Sequence, residues 1–403
     1  MKALVLGLAR SGQAAALALA RRGEPVLAVD RSPDVDVGRL AAAGVELRLG
    51  TDEEALLEGM DVLIKSPGVP ADAPLVAAAR VRGVAVWSEV ELGSRLLSNP
   101  ILGVTGTNGK TTTSELLGVM LDAPVAGNVG RALCDLDGEV AADEWIVCEL
   151  SSFQLEDIEE FRPRIAVLLN LEPDHLDRHG SFEAYRDAKL RIFENQTAED
   201  TAVVPRGFPA VGGARRVEFA DADRLPAEPR IPGAHNRENA AAATAAARAA
   251  GAPDERIAEA LRAFPGVPHR LEDVAEIGGV RFVNDSKATN AAAARRAIAS
   301  YDEPLHVILG GLGKNESYAE LAADIRARGA RAYLIGTAAD ELAEALESPF
   351  ERSGDLATAV RSAAEAAQPG AVVLLSPAAA SYDQFENFEE RGDEFRRLVE
   401  ALR

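Results

Sequence analysis

The chain is poor in cysteine, in net positive charge and in long apolar runs. Its 403 residues include only two cysteines, Cys134 and Cys148, which excludes a disulfide framework or a cysteine-based zinc site and fits a reducing compartment. The net charge of −21 argues against nucleic acid or an anionic membrane as a partner. The N-terminal apolar run reaches a charge at Arg10, too soon for a secretory signal, and no run is long enough to span a membrane. We therefore expect a cytoplasmic protein with no nucleic-acid or membrane partner.

The most informative motif that is present is a glycine-rich loop at Gly103–Thr112. An apolar strand precedes it and a helix pattern follows. Strand, turn and helix in this order predict a phosphate cradle of backbone amides and a helix N-terminus. In such a loop Lys110 reaches the terminal phosphates and the Thr111 hydroxyl holds Mg²⁺. The loop is not a strict Walker A motif, because Val104 stands where that motif has glycine.

Alternating strand and helix patterns predict an α/β protein of three domains. We place their limits at 1–98, 99–267 and 268–403. The first is expected to be Rossmann-like, the second a P-loop ATPase domain with a mostly parallel sheet, and the third a Rossmann-like α/β domain with a parallel sheet. The Pro- and Gly-rich stretch 264–268 is the predicted hinge, about which the third domain would close.

The first block opens with a strand–helix–strand pattern whose turn carries Gly7 and Gly12, with Ala9 in place of the middle glycine of a dinucleotide-binding motif. Asp30 ends the second strand, where a ribose-binding acid would lie. A later strand runs into Ser66-Pro67-Gly68. These turns are compatible with a nucleotide site or with purely structural turns.

Acidic and imidazole side chains follow two strands of the second block. Glu149 ends the strand predicted at 145–150, and the segment 170–179 combines three acids with His175 and His179. Such a set suggests a metal or proton-transfer loop. Lys189 lies in a predicted helix, where a solvated lysine is the ordinary interpretation.

Three polar turns follow strands of the third block. They are Asn284–Asn290, Gly310–Lys314 and Ser376–Phe388. Because the carboxyl ends of parallel strands meet at one edge of a sheet, the turns predict one shared cleft, although each could also be only a capped loop.

In this order, these strings resemble the Mur ligase family, whose members are ATP-dependent, amide-forming enzymes of peptidoglycan precursor synthesis. The resemblance covers essentially the whole chain. The strings at 149–155, 284–290 and 375–388 are most similar to the members that add D-glutamate. The Asp-Asn-Pro-Arg signature of diaminopimelate-adding members is absent. The resemblance implies that ATP activates the carboxylate of UDP-N-acetylmuramoyl-L-alanine as an acyl phosphate, which D-glutamate then attacks. We expect the protein to be a monomer.

The resemblance also implies a role for each matched position. The catalytic residues would be Lys110, Glu149, His175 and Lys189. ATP would bind Gly106, Thr107, Asn108, Gly109, Lys110, Thr111, Thr112, Asn236, Arg270 and Asp285. The UDP-substrate would bind Arg10, Ser11, Asp30, Arg31, Ser66, Gly68 and Asn128, and the amino acid would bind Lys287, Thr289, Lys314, Ser381 and Phe388. Two Mg²⁺ ions would be held by Thr111, Glu149, His175 and Lys189, with Lys189 as a carbamate.

The chain departs from the family pattern at three places, with Leu312 where an acid is frequent, Ala379 where cysteine is frequent and Tyr382 where leucine is frequent. Other functions remain as alternatives: another Mur-type ligase, a folylpolyglutamate synthase, a nicotinamide-dependent oxidoreductase and a non-catalytic nucleotide-binding regulator. The strand–helix–strand opening argues against the folate enzyme. The phosphate loop argues against the oxidoreductase, and the predicted metal ligands argue against the regulator.

Overall fold

Short buried strands and amphipathic helices alternate along the chain and form three sheets. The computed structural model describes residues 1–313 and 317–403, without the side chain of Asp177. The described residues divide into two compact units, one of 1–228 with 238–261 and one of 229–237 with 262–403.

The first sheet belongs to the first unit and has the strand order β3-β2-β1-β4-β5, with every pair parallel. Its central strands are buried along their whole length, as expected where helices cover both faces. The strands are β1 (Ala3–Leu6), β2 (Val26–Asp30), β3 (Glu46–Leu49), β4 (Val62–Lys65) and β5 (Ala85–Ser88), and the helices are α1 (Arg10–Arg21), α2 (Gly38–Ala42), α3 (Pro74–Val81) and α4 (Glu89–Leu96).

The second sheet also belongs to the first unit and is parallel throughout, in the order β11-β10-β9-β6-β8-β7. Its strands are β6 (Ile101–Thr105), β7 (Val125–Gly127), β8 (Ile146–Glu149), β9 (Ile165–Leu168), β10 (Thr201–Pro205) and β11 (Arg215–Phe219). The helices in this part of the chain are α5 (Lys110–Leu121), α6 (Ser152–Leu155), α7 (Leu176–His179), α8 (Phe182–Leu190), α9 (Ala234–Ala249) and α10 (Asp254–Ala263).

The third sheet lies in the second unit, in the order β12-β13-β17-β14-β15-β16. Its strands are β12 (Glu272–Ile277), β13 (Val280–Asn284), β14 (Leu305–Gly310), β15 (Arg331–Ile335), β16 (Phe350–Gly354) and β17 (Val372–Leu375). The helices are α11 (Ala291–Ala299), α12 (Ala319–Arg328), α13 (Ala339–Ala345), α14 (Leu356–Ala366) and α15 (Phe388–Glu400).

The prediction of a parallel third sheet is wrong for one strand, because β12 pairs antiparallel with β13. Gly278 and Gly279 join the two strands with φ of 58° and 76°. Two consecutive positive φ values form the tight hairpin turn that matches strand twist, and glycine adopts them without strain. The other neighbouring pairs of this sheet are parallel, so the ends of β13, β17 and β14 lie side by side.

Candidate functional site

The turns after β1, β2 and β4 surround a cavity of about 530 Å³ in the first unit. It is lined by all seven residues predicted for the UDP-substrate, Arg10, Ser11, Asp30, Arg31, Ser66, Gly68 and Asn128. Because β2, β1 and β4 are neighbouring parallel strands, their carboxyl ends bring these turns together, as is usual for ligand sites in open α/β sheets. The structure thus places the predicted residues around one cavity.

Close backbone contacts fix the shape of this cavity. The Ser66 hydroxyl donates to the Gly7 carbonyl at 2.6 Å. A Cβ on Gly12 would overlap that carbonyl, and Gly7 has a φ of 86°. Glycine is therefore required at positions 7 and 12, because the backbone approaches itself closely there. Ala9, which lies between them, does not interfere with this contact.

Asp30 lines the cavity but is also held by the backbone. Its two carboxylate oxygens accept from the amides of Leu8 and Ser32, at 2.6 and 2.8 Å. Asp30 thus stabilises the turn that carries Arg10 and Ser11. Arg31 forms an ion pair with Asp52, which also lines the cavity.

The phosphate loop joins β6 to α5, as predicted. Gly109 precedes the helix with a φ of 82°, and a Cβ there would overlap the amide of Asn239. The amides of Thr107 and Asn108 donate to the carbonyl and the side chain of Asn170, at 3.0 and 2.8 Å. Asn170 therefore fixes the first half of the loop, which leaves the helix N-terminus at Lys110–Thr112 as the candidate anion-binding part.

Two lysine side chains converge on one carbonyl of this loop. Lys110 Nζ donates to the carbonyls of Gly106 and Thr107 at 3.0 and 2.9 Å, and Lys189 Nζ donates to the same Gly106 carbonyl at 2.8 Å. Lys189 is only 2% exposed, so its interpretation as a solvated lysine is wrong. Burial, and then the nearby Lys110 ammonium, lower the pKa of Lys189 to about 7.

Glu149 ends β8 beside these lysines and is 1% exposed. Its Oε1 accepts from the Asn128 side chain at 2.9 Å, which connects it to a residue of the cavity. Its Oε2 is buried and has no hydrogen-bond partner among the described residues. A buried carboxylate oxygen of this kind is costly without a cation or donor beside it.

His175 lies on the loop after β9, with a φ of 51° and half of its side chain exposed. Its ring packs near Phe153 and Tyr185, with centroids 5.1 and 6.4 Å away. The neighbouring His179 is instead held between Ser152 and Glu156, at 3.0 and 3.3 Å. Of the two histidines, His175 is the one that can reach a ligand.

Three of the predicted nucleotide residues, Asn236, Arg270 and Asp285, lie in the second unit. Asp285 is buried and accepts from the Ser376 hydroxyl at 2.8 Å. Burial raises the pKa of Asp285 to about 7, and the charge of Arg270 acts in the opposite direction. Asn236 is buried, and its side chain donates to the Pro232 carbonyl at 2.7 Å.

Four of the five residues predicted for the amino acid are described. Lys287 Nζ lies 4.8 Å from the centre of the Phe388 ring. Ser381 is 2% exposed and Thr289 follows Lys287 in the turn that precedes α11. Lys314 lies outside the described residues.

Sequence reasoning missed several residues of these sites. Gln154 lines the cavity and Asn170 and Asn239 contact the phosphate loop. Gln154 stands three residues after Ser151 in a capping box, a signal that the sequence does contain. Asn170 and Asn239 are distant from the loop in sequence, and only the fold brings them to it.

The described residues contain no group of three or more His, Cys, Asp or Glu side chains that could hold a metal ion. Mg²⁺ commonly needs only one or two protein carboxylates, because waters and phosphates complete its shell. In the same part of the chain, no helix is long and apolar enough to cross a membrane.

Family models match three separate parts of the chain. They are described as Mur ligase MurD-like, N-terminal domain (residues 1–88), Mur ligase middle domain (104–217) and Mur ligase, glutamate ligase domain (269–379). The chain belongs to the Mur ligase family.

Several curated relatives that are 40–44% identical to the chain share the name UDP-N-acetylmuramoylalanine--D-glutamate ligase. The protein of that name from Acidobacterium capsulatum is 43% identical over 100% of this chain and 96% of its own. The one from Anaeromyxobacter dehalogenans is 44% identical over 98% and 96%.

Solved structures of more distant relatives share the fold. The UDP-N-acetylmuramate-alanine ligase of Thermotoga maritima is 19% identical, with a TM-score of 0.60 over 100% of both chains. The MurF ligase of Thermotoga maritima, solved with ADP, is 17% identical, with a TM-score of 0.62 over 94% of this chain and 96% of that one.

Proposed function

We propose that the protein is an ATP-dependent ligase that joins D-glutamate to UDP-N-acetylmuramoyl-L-alanine, with release of ADP and phosphate, in peptidoglycan precursor synthesis. The observation that carries the chemistry is the corner of the phosphate loop where Lys110 and Lys189 share the Gly106 carbonyl beside buried Glu149. The substrates follow the name of relatives that are 40–44% identical over at least 98% of this chain.

The residues at this corner fit Mg²⁺. The partnerless Oε2 of Glu149 is a hard oxygen ligand, which Mg²⁺ prefers, and Thr111 is the second residue of α5, directly after the loop. We assign one ion to Thr111 and Glu149 and a second to His175 and a carbamate on Lys189. When bound, Mg²⁺ neutralises charge on the phosphoryl group in transfer.

Lys189 fits a carbamate because it is buried and its pKa of about 7 leaves a neutral amine available near neutral pH. A neutral amine takes up CO₂, and the product carries an anionic oxygen in place of a cation. That change also replaces the repulsion between Lys189 and Lys110 with attraction.

Three groups of residues hold the three substrates. The cavity of about 530 Å³ suits the UDP-sugar, with Arg10 and Arg31 as cations for the diphosphate. Lys110, Arg270 and the α5 N-terminus hold the ATP phosphates, while Asn236 and Asp285 hold the nucleoside side. Lys287, Thr289, Lys314, Ser381 and Phe388 hold D-glutamate.

Three domains, at 1–98, 99–267 and 268–403, match this division. The strand order β3-β2-β1-β4-β5 supports a Rossmann-like first domain. The β6–loop–α5 unit supports a P-loop-type second domain. The three family models fall within these limits.

A free carboxylate is a poor acyl donor, so the reaction begins with its phosphorylation by ATP. Lys110 and the α5 N-terminus stabilise charge on the phosphoryl oxygens in the transition state. The amine of D-glutamate then attacks the acyl carbon and phosphate leaves. The assigned residues hold the reactants in register, which converts a three-substrate reaction into local steps.

Release of ADP in the presence of a panel of amino acids tests the proposal. We expect release only when UDP-N-acetylmuramoyl-L-alanine and D-glutamate are both present. Turnover with L-lysine or diaminopimelate in place of D-glutamate would overturn the substrate assignment. Release of ADP without the UDP-substrate would overturn the ligase assignment.

A further inference from the structure

Arg391, on α15, is a fully buried arginine that the proposed mechanism does not use. Its side chain is 0% exposed. Its Nε donates to the Ser286 hydroxyl at 3.0 Å and its Nη2 to the Ser286 carbonyl at 2.8 Å. The remaining contacts are with the carbonyls of Ala379, Ala380 and Gly310, between 3.2 and 3.5 Å. Five neutral oxygens thus receive the five donors of the guanidinium.

These oxygens belong to the turns that follow β13 and β17 and to Gly310, the last residue of β14, where the third turn begins. Ser286 immediately precedes Lys287, and Ala380 immediately precedes Ser381. The Ser286 hydroxyl in turn donates to the Phe388 carbonyl at 2.8 Å. Arg391 therefore binds the chain neighbours of Lys287 and Ser381, and it is connected to Phe388 through the Ser286 hydroxyl.

A glycine allows the guanidinium to come this close. Gly311 has a φ of 133°, and a Cβ there would overlap the Ala380 carbonyl and lie 3.0 Å from Arg391 Nη1. Only glycine leaves space for the arginine between these turns.

The charge of Arg391 has no hydrogen-bonded carboxylate among residues 1–313 and 317–403. Asp383 is the acidic group near enough to act on it, and its Oδ2 accepts instead from the Thr337 amide at 3.0 Å. Burial lowers the pKa of Arg391 to about 10, so the group stays charged at neutral pH. A buried cation with no carboxylate hydrogen-bonded to it is costly for stability, and Arg391 contacts the turns that carry the residues assigned to an anionic substrate.

We propose that Arg391 is a positioning residue that holds the three turns of the amino-acid pocket and whose buried charge favours an amino acid with a second carboxylate. The inference rests on the proposed function, since it concerns the pocket assigned to D-glutamate. The attraction between the Arg391 guanidinium and the second carboxylate acts through buried turns, where little water screens it.

The test uses Arg391→Met, which removes the charge, and Arg391→Lys, which keeps the charge but not the fork of donors. The matched control is Arg397→Met on the same helix, whose side chain is 66% exposed. For Arg391→Met we expect the KM for D-glutamate to rise about tenfold or more, because the charge-assisted hydrogen bonds between Arg391 and the turns are lost, and such bonds are stronger than neutral ones. The KM for ATP should rise less than that for D-glutamate, because Asp285 lies in the turn that Arg391 holds, whereas Lys110 follows β6 in a different sheet.

Selectivity for D-glutamate over D-glutamine separates the role of charge from that of packing. We expect Arg391→Met to lose most of this selectivity and Arg391→Lys to retain it at pH 7. As pH rises to 9, the selectivity of the lysine variant should fall while that of the wild type stays level, because a buried ammonium loses its proton more readily than a guanidinium.

Equal changes in the KM for ATP and D-glutamate, or lysine and methionine variants with the same selectivity at every pH, would overturn the inference. Should Arg391→Met not fold, Arg391→Gln replaces it, and the pH profile of Arg391→Lys decides between charge and packing. If the wild type itself shows no D-glutamate-dependent ADP release, the proposed function fails rather than this inference.

Discussion

Carbon dioxide should react with Lys189 at a pH where an ordinary lysine is almost entirely protonated. With a pKa of about 7, about half of the Lys189 amine is neutral at pH 7, against about 0.04% for a lysine with a pKa of about 10.4. The buried environment thus raises the reactive fraction about 10³-fold. To test this, the pH of the protein solution is varied in the presence of ¹³C-bicarbonate, and the protein carbamate is measured by ¹³C NMR.

We expect one carbamate resonance that grows from pH 6 to pH 8 with a midpoint near 7. Lys189→Met should remove it, and the control Lys2→Met, at an exposed position, should leave it unchanged. Loss of activity in Lys189→Ala with partial recovery on adding short carboxylates would agree with this role. Absence of the resonance in the wild type at pH 8, or its persistence in Lys189→Met, would refute the reasoning.

Further predictions concern four other positions. Glu149→Gln should lower kcat about 10²-fold or more without loss of folding, because the charge that holds Mg²⁺ is removed; unchanged kcat would exclude the metal role. Gly109→Ala should destabilise the fold by about 1–3 kcal/mol in urea denaturation, because its φ of 82° is strained for alanine; wild-type stability would contradict this. Ser66→Ala removes the bond to the Gly7 carbonyl and should raise the KM for the UDP-substrate about fivefold, with that for ATP unchanged. Burial raises the pKa of Glu89 from 4.5 to about 7. Between pH 4.5 and pH 7, folding therefore takes up a proton at Glu89, and the contribution of this group to the free energy of unfolding falls as the pH rises through that range. Glu89→Gln should remove that loss, a relative gain of up to about 3 kcal/mol at pH 8 over pH 4.5; parallel stability profiles of the two proteins would contradict it.

Much of the fold could be predicted from the sequence because apolar strands and helix patterns alternate regularly. The apolar runs at 201–205, 280–284, 331–335 and 372–375 predict strands, and the structure gives strands with these same bounds. Edge strands such as β3 and β12 were not predicted, because charged residues interrupt their apolar pattern. The antiparallel pairing of β12 follows from the Gly278-Gly279 turn, a signal present in the sequence.

Site residues on turns after strands were predictable because parallel strands bring their carboxyl ends together. Six of the seven residues that the family resemblance implied for the UDP-substrate lie at or after the ends of β1, β2 and β4 and line one cavity for this reason, and Asn128 reaches it from the end of β7. The burial of Lys189 and Arg391 was not predictable from local sequence. Both lie on helices with ordinary polar neighbours, and only the packing of distant loops encloses them.

The reaction itself is tested most directly by the fate of a labelled oxygen. UDP-N-acetylmuramoyl-L-alanine with ¹⁸O in its alanyl carboxylate is incubated with the protein, ATP and D-glutamate, and the phosphate and the UDP-product are analysed by mass spectrometry. The proposed function predicts one ¹⁸O atom in the released phosphate and a product enlarged by one glutamyl residue. Phosphate without the label, or labelled phosphate without the D-glutamyl product, would contradict it.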